Sequence, residues 1–280
     1  MNLTILTDNY SLPGKPLLAE HGLSFYIETD GKKILFDTGY SDVFMRNAVK
    51  LDLSLRHLDY LVFSHGHYDH TWGVVPLIAL YRESIKNKIP YHKPEVITHP
   101  LTFYHKYKEP FGEQGSLLSE SRLASIFQLS LRKTPFWITE KLVFLGEVPR
   151  TNDFEGNYSD GKIYKNKIYI DDCILEDSAL AYKTDAGLVV ITGCAHSGIC
   201  NTIAYAQSIC AETRILDVVG GLHLCEAAET QVQSTVQYLK KVSPLSIHPC
   251  HCTGFAARMA FVNTLPLQET GVGLTLNYSE

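Results

Sequence analysis

Ser64-His65-Gly66-His67-Tyr68-Asp69-His70 follows directly on the apolar run Asp59-Tyr60-Leu61-Val62-Phe63. Four strong metal-ligand types fall within six residues, on a loop that already contains a glycine. His65 and His67, two apart, can face one cation. Asp69 and His70 are then placed to reach a second cation beside it. Imidazole suits Zn, Fe, Ni and Cu, and a carboxylate adds a harder ligand that can polarise a bound water. A polar loop rarely reaches this ligand density by chance.

One loop cannot complete a site, so further histidines are expected at strand ends on the same edge. His196 lies in Thr192-Gly193-Cys194-Ala195-His196-Ser197-Gly198, His223 in Gly220-Gly221-Leu222-His223-Leu224, and His251 in His248-Pro249-Cys250-His251-Cys252-Thr253-Gly254. Each follows an apolar strand beside glycine or proline. Strand C-terminal ends are where α/β proteins collect ligands.

Outward from these motifs, the chain alternates strands and helices. Leu3 to Thr7, Gly22 to Thr29, Lys33 to Asp37, Asp59 to Ser64 and Pro94 to Thr98 read as strands. Asp30-Gly31 is a hairpin turn. Ser41 starts a helix to about Leu51, and another helix begins near Gly73. The pattern recurs later: a hairpin around Asp185-Ala186-Gly187, a helix from about Gly198 to Ala211, strand Ile215 to Val219, a helix near Glu226 to Lys241, strand Leu245 to His248, and a helix from about Phe255. Two such halves predict an α/β protein, a four-layer αββα sandwich of two mixed sheets with helices outside. With no Pro/Ser/Gly linker, residues 1–280 read as one domain with a lid or insertion at about 81–167. Between Tyr81 and Lys108 six Lys/Arg face two Glu, among Tyr81, Tyr91, Tyr104 and Tyr107. A charge run of this kind is usually a solvated helix face. The functional alternative is a lid wall that attracts an anion.

Composition narrows the function classes. A chain of 280 residues with net charge −5, 45% hydrophobic and 20% charged residues, is an ordinary globular protein. The acidic balance argues against nucleic acid as a partner. No apolar stretch nears the ~20 residues that span a bilayer, and Met1 to Tyr10 reads as a first strand, so no membrane role is expected. The seven cysteines are odd in number and all lie from Cys173 onward, which predicts reduced thiols and a cytoplasmic setting.

His65-x-His67-x-Asp69-His70 after an apolar strand, preceded by Phe36-Asp37-Thr38-Gly39, resembles the metallo-β-lactamase superfamily. Glu147-Val148-Pro149-Arg150 and the three His-bearing elements above resemble its 7,8-dihydropterin-6-methyl-4-(β-D-ribofuranosyl)-aminobenzene-5′-phosphate synthase-like branch. The resemblance implies the αββα fold and two divalent ions, Zn first, with Fe or Mn as alternatives. It implies that His65, His67 and His196 hold one ion and Asp69, His70 and His251 the other. Cys194 stands where family members carry a bridging ligand. Whether Cys194 or His196 takes that role stays open, as does a ligand role for His223 or Asp177. Asp37 matches a family acid that supports the loop. Cys250 and Cys252 form a Cys-x-Cys pair of the kind that binds iron, at a spacing tighter than most cluster ligands use. Cys200 and Cys210 read as small core residues. Asp153 and Glu155 read as loop or lid, and Arg150 as either a surface turn or a phosphate contact.

The leading expectation is a hydrolase with a dinuclear metal site, acting on an anionic, phosphate-bearing small molecule, with Asp69 also orienting the nucleophile. The alternatives are a synthase or transferase in pterin (methanopterin-like) cofactor assembly, a di-iron redox protein, and a binding protein without turnover.

Overall fold

A computed structural model describes residues 1–278, which fall into two compact units. The first comprises Met1–Leu131, Gly161–Asp172 and Gly271–Tyr278; the second comprises Arg132–Asp160 and Cys173–Thr270.

The first unit is built on a seven-stranded mixed sheet in the order Thr275–Asn277, Asn2–Thr7, Ser24–Thr29, Lys32–Phe36, Tyr60–Val62, Glu95–Thr98, Gln128–Leu131. The first four strands pair antiparallel and the rest parallel. Asp30 and Gly31 both take positive φ (50° and 70°), the backbone that a two-residue hairpin turn requires. Parallel neighbours need crossover connections. The helices Val43–Lys50 and Val74–Asn87 supply two of them. Phe44 and Ala48 from one, and Val74, Leu77 and Tyr81 from the other, pack with Leu6, Tyr26, Leu35, Leu61 and Val96 of the strands. Burying each of the larger side chains contributes about 1.5–3 kcal/mol. The Tyr60–Val62 strand is shorter than the sequence predicts. The reason is local: at Ser64 the backbone N–H leaves the ladder and donates to the Asp37 carboxylate at 2.8 Å.

A second, four-stranded antiparallel sheet in this unit runs Ile168–Asp171, Lys162–Lys165, Lys106–Lys108, Gly112–Glu113. The stretch read as a lid or insertion therefore holds strands of this sheet. Its basic residues do not act as one patch. Tyr81 is a core residue, its hydroxyl donating to the Leu55 carbonyl at 3.0 Å, and not a pocket wall. Lys93 donates to the Ile126 carbonyl at 3.2 Å. Lys106 is buried and pairs with buried Asp172 at 2.5 Å.

The second unit holds a six-stranded mixed sheet in the order Ser246–Cys250, Ile215–Gly221, Gly187–Thr192, Ala179–Thr184, Leu142–Phe144, Phe136–Trp137. The helices Ile199–Cys210, Glu229–Val242 and Phe255–Phe261 contribute to its core through Ile199, Ile203, Val236, Leu239 and Phe261, against Ala181, Val190, Val218 and Ile247. Cys200 and Cys210 lie in this core, as the sequence predicts. Among the described residues no helix is long and apolar enough to cross a membrane.

The start of helix Ile199–Cys210 has a particular solution. Its N-cap is Gly198, which has no side chain to satisfy the first helical N–H groups. Glu155, read from sequence as loop or lid, does so instead, accepting from Cys200 N at 3.2 Å and Asn201 N at 2.7 Å. Gly198 has φ 96°, and a Cβ there would lie 2.2 Å from the Glu155 carboxyl carbon. Burial raises the Glu155 pKa above its ordinary 4.5, against the opposing pull of its hydrogen bonds to Asn152, Asn201 and Cys200. The folded state then holds a proton that the unfolded chain has released. This group's contribution is fully present below pH 4.5 and is lost as pH rises through the raised folded value. Thermal midpoints of Glu155→Gln across pH 4–8 are therefore expected to show a shallower fall than the parent's. Parallel curves for the two proteins would refute the assignment.

Candidate metal centre

In the first unit the ligand-rich loop is held from beneath. Asp37, buried and at φ 58°, accepts from Ser64 N at 2.8 Å and from Ser64 Oγ at 2.7 Å. Its Oδ2 also lies 2.7 Å from His70 Nδ1. With His70 Nδ1–H donating to that carboxylate, Nε2 is left as the ligating atom. Asp37 thus braces Ser64 and His70 through its carboxylate. His70 Nε2 lies 3.7 Å from Asp69 Oδ2, and His65 Nε2 lies 3.1 Å from His67 Nδ1. The His65 ring centre is 4.7 Å from that of His67 and 4.3 Å from that of His70. Burial, followed by the neighbouring His70 and His67, holds the His65 pKa well below its usual value. A neutral imidazole is the form that binds metal. Gly66 has no alternative: a Cβ there would meet the Thr102 carbonyl oxygen at 2.4 Å and the Lys106 side chain at 2.9 Å.

The sequence reading missed His21. Its Nε2 lies 3.2 Å from Asp69 Oδ2. A lone histidine in Ala19-Glu20-His21-Gly22 carries no metal-ligand spacing. The nearest signal is Gly22, where a Cβ would lie 2.5 Å from the Asp69 carbonyl oxygen.

The second unit gathers another donor group. Cys194 Sγ lies within 4.8 Å of a ligand atom on His196, on His251, and on both His223 and Cys252. The His196 and His223 rings are 4.2 Å apart. Tyr158, also missed from sequence, hydrogen-bonds His196 Nδ1 through its hydroxyl and stacks on His223 at 5.4 Å and 4°. That contact fixes the His196 ring and leaves Nε2 available. His223 N donates to Cys252 Sγ at 3.2 Å, and His223 Nδ1 is buried without a hydrogen-bond partner. Gly220-Gly221 exists because Cβ atoms there would lie 2.1 Å from the Thr192 carbonyl and 2.4 Å from that of Gly193.

The remaining candidates make contacts of their own. Asp177 accepts from Ser197 N at 2.8 Å, bracing the loop that carries His196. Burial pushes its pKa up to about 6, opposed by the backbone hydrogen bonds from Ser197 and His196. Arg150 donates to the Cys173 and Ile174 carbonyls at 2.5 and 3.1 Å, so its guanidinium braces a turn. Cys252 joins Cys194 and His223, whereas Cys250 ends a strand and belongs to none of the three-donor groups found among the described residues.

The donors suit divalent ions on chemical grounds. Imidazoles, a carboxylate and thiols dominate, His70 and His196 are each oriented by a partner on the second ring nitrogen, and His65 is neutral.

The metallo-β-lactamase superfamily profile matches residues 18–155. A Methanocaldococcus jannaschii protein named 7,8-dihydropterin-6-methyl-4-(β-D-ribofuranosyl)-aminobenzene-5′-phosphate synthase is 30% identical over 271 residues, covering 92% of this chain and 89% of its own. A second, uncharacterised protein of that organism is 32% identical over 262 residues, covering 91% of each. Among solved structures, a metal-dependent hydrolase of the β-lactamase superfamily matches with TM-score 0.83 and 28% identity over 100% of both chains. The metallo-β-lactamase fold protein YhfI from Bacillus subtilis matches with TM-score 0.60 at 12% identity over 99% of both, a likeness of fold. The chain belongs to the metallo-β-lactamase superfamily.

Proposed function

We propose that the chain is a metal-dependent hydrolase that holds two divalent ions, Zn foremost. In this reading His65, His67 and His196 serve one ion, and Asp69, His70 and His251 the other. Cys194 is the shared ligand, since its thiol has His196 and His251 both within 4.8 Å. The observation that carries the reading is preorganisation: Asp37 on His70 and Tyr158 on His196 fix ligand rings before any ion arrives. Ions so held supply Lewis acidity and a bound water of lowered pKa. The protein's part is to orient and to move protons. Asp69, with Oδ2 3.2 Å from His21 Nε2, is placed to accept the nucleophile's proton, and His21 to relay it outward. Burial of His65, Asp69 and His70 excludes bulk water around that carboxylate. The substrate class proposed is an anionic, phosphate-containing small molecule, such as a phosphodiester or pyrophosphate.

A second reading rests on the full-length likeness to the M. jannaschii synthase: the same residues would bind a ribosyl phosphate during transfer. One experiment separates the two. Metal content is measured on purified protein, and turnover is followed on phosphodiester, pyrophosphate, lactone and thioester panels, with a phosphoribosyl donor plus an aminobenzoate acceptor beside them. Hydrolysis dependent on about two ions per chain is expected. Ribosyl transfer without hydrolysis would favour the second reading. Protein that binds no metal would end both.

A further inference from the structure

The hairpin Lys162–Lys165 and Ile168–Asp171 leaves one strand of the four-stranded sheet at its edge, exposed along its whole length. Ile168, Tyr169 and Ile170 are 59%, 52% and 41% exposed, an unusual load of apolar surface for three consecutive residues. Tyr164 and Tyr107 flank Tyr169, with ring centres 5.0 and 6.4 Å away.

We propose that this strand pairs antiparallel with the same strand of a second copy, forming a two-fold homodimer through one continuous sheet. The hydrogen-bond parity limits the register. Lys165 opposes Ile168 across the tight turn at Asn166-Lys167, and Asp172 N donates to the Gly161 carbonyl at 3.1 Å. In an antiparallel pair, alternate residues exchange both bonds with their partner. Residues 168, 170 and 172 therefore spend their main-chain groups on the inner neighbour. Tyr169 and Asp171 present theirs outward. A strand pairing with itself must use outward groups on both sides, which allows a centre on Tyr169 opposite Tyr169 or on Ile170 opposite Ile170; charge selects the first, which also sets Lys167 against Asp171. Ile168 then faces Ile170 of the other copy. Lys167 meets Asp171 at both ends, so the edge is complementary in charge to itself. The edge strand Ile168–Asp171 itself carries no lysine, the residue that ordinarily guards against such pairing. Lys167, in the turn, reaches Asp171 of the other copy beside the pair that Asp171 makes with Lys162 of its own hairpin at 2.7 Å. The inference is independent of catalysis.

Sedimentation velocity of the full chain over a dilution series tests it. The parent is expected to dimerise reversibly. Lys167→Glu or Asp171→Lys alone is expected to weaken the dimer about tenfold or more, by placing like charges opposite. The double charge swap, made together with Lys162→Asp so that position 171 keeps a cross-strand partner of opposite charge, restores it, and Ile170→Lys abolishes it. Circular dichroism confirms that each variant is folded. A parent that stays monomeric at every concentration overturns the proposal. So does a dimer indifferent to both single reversals, or a swap that fails to restore it.

Discussion

His67→Ala is expected to bind about one ion fewer per chain and to lose turnover by roughly a thousandfold or more, equal to about 4 kcal/mol of transition-state stabilisation. The argument is geometric. His67 Nδ1 converges with His65 Nε2 at 3.1 Å, so one ion of the proposed pair loses a ligand with no substitute on the same loop. The fold should tolerate the change. His67 is the N-cap of the short helix Tyr68–Thr71, yet its side chain makes no capping bond. The metal-free thermal midpoint is therefore expected to stay near the parent's. Elemental analysis and kinetics on the same preparation decide the matter. A variant with the parent's metal content and rate would remove the basis for the proposed function.

The second large effect concerns stability. Lys106→Met is expected to cost about 3–5 kcal/mol in urea denaturation, because it leaves the buried Asp172 carboxylate without its counter-charge. Both side chains are nearly inaccessible, at 1% and 2% exposure, so solvent screening cannot soften the loss. Combining Lys106→Met with Asp172→Leu is expected to recover most of that cost, since an apolar pair of similar volume is often no worse than a buried ion pair. Lys106 also lies against Gly66, so the single variant should loosen the metal loop and lower metal affinity. A single-variant cost below about 1 kcal/mol would show that water reaches the pair.

The sequence exposes what is local. His65 to His70 after an apolar strand, the Asp30-Gly31 turn and the Gly-flanked histidines are short-range signals, and the strand and the turn form where the sequence predicts. Relationships distant along the chain were hidden. Lys106 finds Asp172 sixty-six residues away, so composition counted it with a surface charge run. In the sequence Cys250 and Cys252 read as a Cys-x-Cys pair. In the structure Cys252 faces His223 and Cys194 because the strand stops at Cys250 and the chain turns, with His251 at φ 49°. Glu155 gave no sign of its role, because a carboxylate that caps a helix 44 positions later in sequence follows none of the local capping patterns. The hairpin at 162–171 was legible in principle, from Lys-Ile-Tyr-Lys and Ile-Tyr-Ile-Asp around Asn166-Lys167, but the abundance of Tyr and Lys masked the alternation.

The order of strands in the first unit has a consequence for biosynthesis. Residues 2–4 pair with residues 275–277, and the hairpin at 161–172 is encoded between segments of the second unit. A nascent polypeptide leaving the ribosome holds an open sheet rim until residues 275–277 have been made. The first unit's sheet cannot close before that point, and the rim of Asn2–Thr7 is the surface a chaperone would need to shield until then.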